Sequence, residues 1–231
     1  MSSTARASVQ DLEIVPLLVG DVEEILVLYE IAKSVAPFGF MATRSKEEYL
    51  ELFAHGAIGV GLRDAGRLIS YAIAHRLDHN PYPDVPLLSG IDPAVQQVYH
   101  GHGWTVHPQY RNRGLGQQLF EIRFQRMAEM KVDHFFGLAA VDNLSSVGGV
   151  LRAGAIVVGF AADETAMNYI VYWGHLRERL RRDLPPIAVD PGDHKEQERL
   201  FMLRHAGCRL LRPSSGERQA SAELRIEFLP T

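Results

Sequence analysis

Val106-His107-Pro108-Gln109-Tyr110-Arg111-Asn112-Arg113-Gly114-Leu115-Gly116 is the stretch that organises the reading of this chain. Upstream, Val98 to Val106 reads as a strand that Pro108 ends. Downstream, Leu115 to Met130 is the strongest helical pattern in the sequence, with Leu119, Phe120, Ile122, Phe124 and Met127 on a broad apolar face. The order is strand, glycine turn, helix. The first turn of a helix leaves backbone N–H groups unpaired and carries roughly +0.5 of a charge. Glycines placed there let the backbone close on a phosphate, and Arg111 and Arg113 add charge-assisted donors. The plainer alternative is that Gly114 and Gly116 only permit the turn.

Working outward toward the N-terminus, Leu12 to Leu17 reads as a short strand, followed by a helix with Val22, Ile25, Leu26, Leu28, Tyr29 and Ala32 at helical spacing. Thr43 and Ser45 are candidate N-caps for a second helix carrying Tyr49, Leu50 and Phe53 and ending near Gly56. Ala57 to Leu62 and Leu68 to His75 flank the polar turn Arg63 to Arg67 and predict a hairpin. Asp78 to Pro93, with four prolines, reads as a long irregular loop of the kind that often serves function. Toward the C-terminus the pattern predicts a strand His134 to Val141, a short helix Leu144 to Arg152, and strands Ile156 to Ala162 and Tyr169 to Trp173. Beyond His175, punctuated by Pro185-Pro186 and Asp190 to Asp193, a helix Lys195 to His205 and a hairpin between Cys208 to Leu211 and Leu224 to Leu229 are expected.

Composition bounds the rest. The 231 residues make one sizeable domain, 10–175, with an appendage, 176–231, packed on it or at a dimer interface. Lys and Arg total 24 against 28 Asp and Glu, a net charge of −4, so no global basic field recruits nucleic acid or anionic lipid. The appendage, with 11 basic against 9 acidic residues, differs only mildly. A solvated face is the reading of the arginine-rich run Arg177 to Arg182, which Glu178 interrupts. One cysteine, Cys208, excludes an internal disulfide, and with no secretory or membrane-spanning apolar run a cytoplasmic protein is expected. No repeat of twenty to fifty residues is visible.

The glycine turn, preceded by Val106-His107-Pro108 and followed by an amphipathic helix, resembles the acetyl-CoA-binding motif of the GNAT superfamily of N-acetyltransferases. The resemblance covers residues 10 to 175 and includes the element order. It implies a mixed α/β (α+β) fold: a mostly antiparallel, twisted sheet of about six to seven strands flanked by helices, here with a C-terminal helix-hairpin appendage. It also implies a cofactor cleft where the strand ending at Val106 splays from the strand His134 to Val141. Acetyl-CoA, or another acyl-CoA, is the implied co-substrate, with no metal. Its pyrophosphate would sit on the turn Arg111, Asn112, Arg113, Gly114, Leu115, Gly116 and Gln117, and Val106 would pair with the pantetheine amides. Asp142 to Ser146 follows a strand where family members place an Asn and a small residue, which makes Asn143 and Ser146 cofactor candidates; Asn143 is equally a good helix N-cap.

Direct acyl transfer needs a base for the amine and an acid for the departing thiolate. Seven residues after Asn143, where many members carry a tyrosine acid, stands Val150. Tyr99, Tyr71 and Tyr169 are candidate replacements. Six residues before Val106, where some members carry a glutamate base, stands His100. A histidine of ordinary pKa near 6.5 serves well as a base at neutral pH. His102 lies two residues on and, with Trp104, is expected on the same strand face. His107 reads as a turn residue and His75 as a distant candidate. Gly148-Gly149, costing about 2 kcal/mol in a helix relative to alanine, implies either close packing or extra room beside the thioester.

These readings make the protein an N-acetyltransferase acting on a primary amine of a small molecule in a ternary complex. Phe38, Phe40, Met41, Tyr82 and Tyr99 are expected in the acceptor pocket, and a homodimer through the C-terminal hairpin stays open. Two alternatives stand beside it: a non-catalytic acyl-CoA-binding module, and a metal site built on His100 and His102.

Overall fold

The structure, a computed structural model, describes residues 12–37, 41, 44–162, 167–211 and 225–231. Ala65 and Gly66 both take positive φ, 48° and 81°, the requirement of a two-residue hairpin turn, so β2 (Ile58–Asp64) and β3 (Arg67–Leu77) pair antiparallel with Asp64 opposite Arg67. β1 (Glu13–Leu17) adds to the outer side of β2, with Glu13 opposite Arg63 and Leu17 opposite Gly59. From Leu68 to Ala74 every residue of β3 is buried, the mark of a strand covered on both faces.

One cover is α1 (Val22–Lys33) and α2 (Lys46–Ala54), whose Ile25, Leu28, Tyr29 and Tyr49 pack with Leu17, Leu68, Tyr71 and Ile73. A reciprocal capping box starts α2: Glu48 N–H donates to Ser45 Oγ (3.2 Å), and Ser45 N–H to the Glu48 carboxylate (2.6 Å). Thr43, the other expected cap, lies outside the described residues, as do Phe38, Phe40 and Leu224. The other cover is α3 (Leu115–Glu129), whose Leu115 and Leu119 join Val60, Leu62 and Ile69.

The chain divides into two units, one running to Arg76 and including Gly101–Met130, the other holding Leu77–His100 and Lys131 onward. β4 (Val98–Val106) therefore starts in the second unit and ends in the first. In the first, Ser70 Oγ donates to Thr105 O (2.8 Å) and His107 N–H to Ile69 O (2.8 Å). In the second, Val98, Tyr99 and His100 pair in parallel with His134, Phe135 and Phe136 of β5 (His134–Ala140). β7 (Met167–Gly174) runs antiparallel between β5 and β6 (Ile156–Ala162).

The expected C-terminal hairpin forms from β9 (His205–Leu211) and β10 (Arg225–Pro230), and β9 joins β6 through Val157 opposite Gly207. Three details differ from the sequence reading. α5 (His194–Met202) stops before His205, which the reading had placed in the helix but which opens β9; Leu203 and Arg204 make the turn, with Arg204 at φ 58°. A strand absent from the reading, β8 (Ile187–Val189), pairs with β10 and covers the hairpin edge that argued for dimerisation; three residues carry too little pattern to read. The proline-rich stretch 78–93 is packed, with Leu88 fully buried in the core of Phe136, Ile156, Val158 and Tyr172 and its carbonyl accepting from Asn80 Nδ2 (2.8 Å).

Gly148 of α4 (Leu144–Arg152) supports the close-packing reading: a Cβ there would stand 3.1 Å from Leu210 Cδ2 of β9. Asp193 caps α5, and Gln197 on that helix donates to the carbonyls of Asp190 and Pro191 (2.9 Å each) while accepting from the Tyr169 hydroxyl (2.8 Å).

Candidate active site

The turn between β4 and α3 is held by its own side chains. Gly114, the N-cap of α3, is left-handed (φ 78°), a conformation that strains any residue with a Cβ, and it brings no side chain to cap the helix. The first α-helical bond there runs from Gln118 N–H to Gly114 O, so the preceding amides of Leu115, Gly116 and Gln117 form the uncapped start of a 15-residue helix. Asn112 also takes positive φ (62°), which asparagine tolerates better than most residues. Arg111 Nε donates to Val106 O (3.3 Å) and another of its nitrogens to Ala32 O (3.4 Å), while Arg113 donates to Gln109 O (3.1 Å) and lies over the Tyr110 ring. Both arginines are thereby aligned with the turn. Tyr110 donates to Asp64 (2.5 Å), and that bond, with burial, raises its pKa.

Gly116 has a different reason to be glycine: a Cβ would overlap the Trp104 ring, which packs edge-on against Phe120 of α3 at 4.3 Å between centroids. The indole Nε1 is buried and has no hydrogen-bond partner among the described residues. Gln117 donates to Glu121 one turn along (2.9 Å).

Trp104 and His102 face different neighbours, which corrects the expected common face. The His102 ring meets Tyr49 edge-on at 5.4 Å and His75 at 5.8 Å, on the side of β3 covered by α1 and α2 rather than by α3. Both imidazoles are half-buried. Below them the Tyr49 and Tyr71 hydroxyls share a buried hydrogen bond of 3.0 Å, and burial raises both phenol pKa values. His75 is pushed below the usual imidazole value by burial and then by the positive charge of Arg44. His107, fully in the turn, accepts from Gln109 N–H through Nδ1 (3.3 Å), and burial followed by Arg67 and Arg111 lowers its pKa.

In the second unit, His100 Nε2 meets the Tyr82 hydroxyl at 3.2 Å, and burial pushes that phenol up to about 12. Tyr99 is buried beside it on β4. Asn143 caps α4, its Oδ1 accepting from Ser146 N–H (3.1 Å), so its structural role is realised and Ser146 contributes its backbone to it. Val150 is a core residue of the same helix. Of the candidate acids, Tyr169 is committed to Gln197. Among the described residues, no group of three His, Cys, Asp or Glu stands close enough to hold a metal ion, and no helix is long and apolar enough to cross a membrane.

Residues 25–148 match the model of the acetyltransferase (GNAT) family, more than half of the chain. The chain belongs to the GNAT family. Solved GNAT structures share its fold. The PaiA N-acetyltransferase of Thermoplasma acidophilum, in complex with coenzyme A, superposes with a TM-score of 0.53 at 13% identity over 71% of this chain and 98% of its own. The ribosomal-protein-S18-alanine N-acetyltransferase of Escherichia coli gives 0.53 at 15% over 70% and 92%. The polyamine N-acetyltransferase of Drosophila melanogaster, which forms N-acetylagmatine, gives 0.55 at 15% over 71% and 100%. None of the curated protein sequences is a significant match. This GNAT protein is therefore an N-acetyltransferase of mixed α/β fold whose sheet combines the parallel β4–β5 pair with antiparallel neighbours.

Within that GNAT frame, sequence reasoning missed Tyr49 and Arg44 as neighbours of the candidate histidines and named Trp104 only as a face-mate. A helix position at core spacing is what Tyr49 shows in sequence, and nothing local indicates its hydroxyl partner on β3. Arg44, next to a capping residue, reads as an ordinary surface charge.

Proposed function

We propose that the protein transfers the acetyl group of acetyl-CoA to a primary amine of a small molecule, by direct attack in a ternary complex. The observation that carries this reading is the turn itself: an uncapped 15-residue helix opened by left-handed Gly114, with Arg111 and Arg113 already folded onto it. The residues present fit the cofactor. Turn amides and two arginines suit a pyrophosphate. The unpartnered, buried Trp104 N–H beside Gly116 is a donor in wait of an acceptor.

In this reading Arg111, Asn112, Arg113, Gly114, Leu115, Gly116 and Gln117 hold the pyrophosphate, Val106 pairs with the pantetheine backbone, and Asn143 and Ser146 add contacts from the start of α4. Bound acetyl-CoA supplies an activated thioester carbonyl. His102 takes the proton that the amine must lose before its nitrogen bonds to that carbon, with His100 as the second candidate base. The carbon–sulfur bond breaks as the carbon–nitrogen bond forms, and in this reading Tyr99 is the candidate donor to the departing sulfur.

The test is direct. Acetyl-CoA binding is measured by native mass spectrometry and calorimetry, and thiol release is then followed with a panel of small primary amines and peptides bearing free N-termini. Stoichiometric binding with faster turnover of a small amine supports the reading. Preference for a peptide overturns the acceptor class, and no acetyl-CoA binding overturns the function.

A further inference from the structure

Asp64 ends β2 and stands opposite Arg67, the first residue of β3, across the hairpin turn. It lies 46 residues before Tyr110, yet the Tyr110 hydroxyl donates to its carboxylate at 2.5 Å, a short bond of the kind a charged acceptor makes. The rest of the Tyr110 side chain is engaged with the turn. Its ring meets His107 edge-on at 5.6 Å between centroids, and the Arg113 guanidinium lies over it, 5.0 Å from the centroid. Arg113 also donates to Gln109 O (3.1 Å). Among the described residues no carboxylate pairs with Arg113.

A carboxylate beside a turn shaped for phosphate is unfavourable by charge alone, because it repels the anion. Tyr110 gives this one a use. Donation to Asp64 fixes the phenol, and a phenol that donates to a carboxylate carries more negative charge on its ring, which strengthens its hold on a cation. A guanidinium paired with a carboxylate spends its fork of donors on it, whereas one held over an aromatic face keeps N–H groups for an incoming anion. The hydroxyl thus takes the carboxylate and the ring takes the guanidinium, so Asp64 is tied to the turn without consuming Arg113.

Resting on the acetyl-transfer reading above, we infer that Asp64 and Tyr110 are positioning residues for the cofactor: the carboxylate holds the phenol, and the phenol holds Arg113 where it receives the diphosphate of acetyl-CoA. The end of the β2–β3 hairpin is thereby part of the cofactor site without touching the ligand. This assignment fixes a sign. By charge alone, removing Asp64 would tighten the binding of a polyanion; by positioning, it loosens it.

Acetyl-CoA affinity is measured by calorimetry on the full-length wild type, Asp64→Ala, Asp64→Asn, Tyr110→Phe, Arg113→Gln and the double variant carrying Tyr110→Phe and Arg113→Gln, with urea midpoints as the control for folding. Asp64→Ala and Tyr110→Phe are each expected to weaken affinity about fivefold, the worth of one net hydrogen bond. Asp64→Asn, whose amide oxygen still accepts from the phenol, should weaken it less than Asp64→Ala. In the Arg113→Gln background, Tyr110→Phe should add less than twofold, because its effect runs through Arg113. Unchanged or tighter binding in Asp64→Ala overturns the inference, as does a full fivefold loss from Tyr110→Phe when Arg113 is already replaced. Failure of the wild type to bind acetyl-CoA instead overturns the acetyl-transfer reading itself.

Discussion

The glycine turn and the imidazole cluster lie in the same unit of the fold but are built in opposite ways. Twelve consecutive residues, Val106 to Gln117, make the turn, and Arg111 and Arg113 donate back to the carbonyls of Val106 and Gln109 within it. The cluster brings together Tyr49, Tyr71, His75 and His102 from a helix and two strands. A local structure is fixed by local chemistry. A composite one is set by which strands and helices happen to meet, so it is where an acceptor preference can be written without disturbing the cofactor site.

The largest effect that would break this contrast is at Gly116. Gly116→Ala forces a Cβ into the Trp104 ring, and such overpacking costs ~1–3 kcal/mol. Acetyl-CoA affinity is expected to fall at least tenfold, about 1.4 kcal/mol, by calorimetry. Adding Trp104→Leu should recover much of both losses, a non-additive pair. Affinity unchanged by Gly116→Ala would mean that the turn is not held by this contact.

Next in size is Tyr49→Phe, which leaves the Tyr71 hydroxyl buried without its 3.0 Å partner and should cost ~1–3 kcal/mol in denaturant unfolding. Turnover should fall while acetyl-CoA affinity holds, because the cluster and not the turn is altered. A fall in affinity would merge the two regions.

Two buried contacts of the second unit sharpen the comparison by belonging to neither region. Tyr169→Phe removes the bond to Gln197 and should cost ~0.5–1.5 kcal/mol with kcat/KM unchanged. The smallest effect is one of pH. His134, buried and bonded to the Tyr172 hydroxyl at 2.9 Å, has its pKa lowered from 6.5 to about 4 by burial and then by His175. The unfolded chain binds this proton below pH 6.5 and the folded one does not until about 4, so its contribution is complete above 6.5 and declines as pH falls through that window. Urea titrations at pH 7.5, 5.5 and 4.5 should show the decline, and His134→Asn should flatten it.

The legibility of the sequence follows the same division. Strand, turn and α3 could be read because the periodicity of Leu119, Phe120 and Met127 and the glycine spacing are written in adjacent residues. Asn143 was legible as a cap for the same reason, and Ser45 likewise. The common face expected for His102 and Trp104 failed because two-residue alternation holds only in a regular strand, and the neighbours of β4 draw one ring toward Tyr49 and the other toward Phe120. At Gly116 the glycine turn is legible but the indole packed against it is not, because Trp104 stands twelve residues earlier in the chain. β8 escaped notice because Ile187, Ala188 and Val189 are too few to show an alternation and acquire strand character only from β10 beside them.

The most direct test of the account is to separate holding from reacting with His102→Gln, which keeps a polar side chain against Tyr49 and His75. Acetyl-CoA affinity by calorimetry and kcat with the best amine are measured on the same preparation. The account predicts affinity within twofold of wild type and kcat lower by roughly 10²-fold or more, the range expected when a general base is removed. Affinity and kcat falling together, or kcat left unchanged, would contradict it.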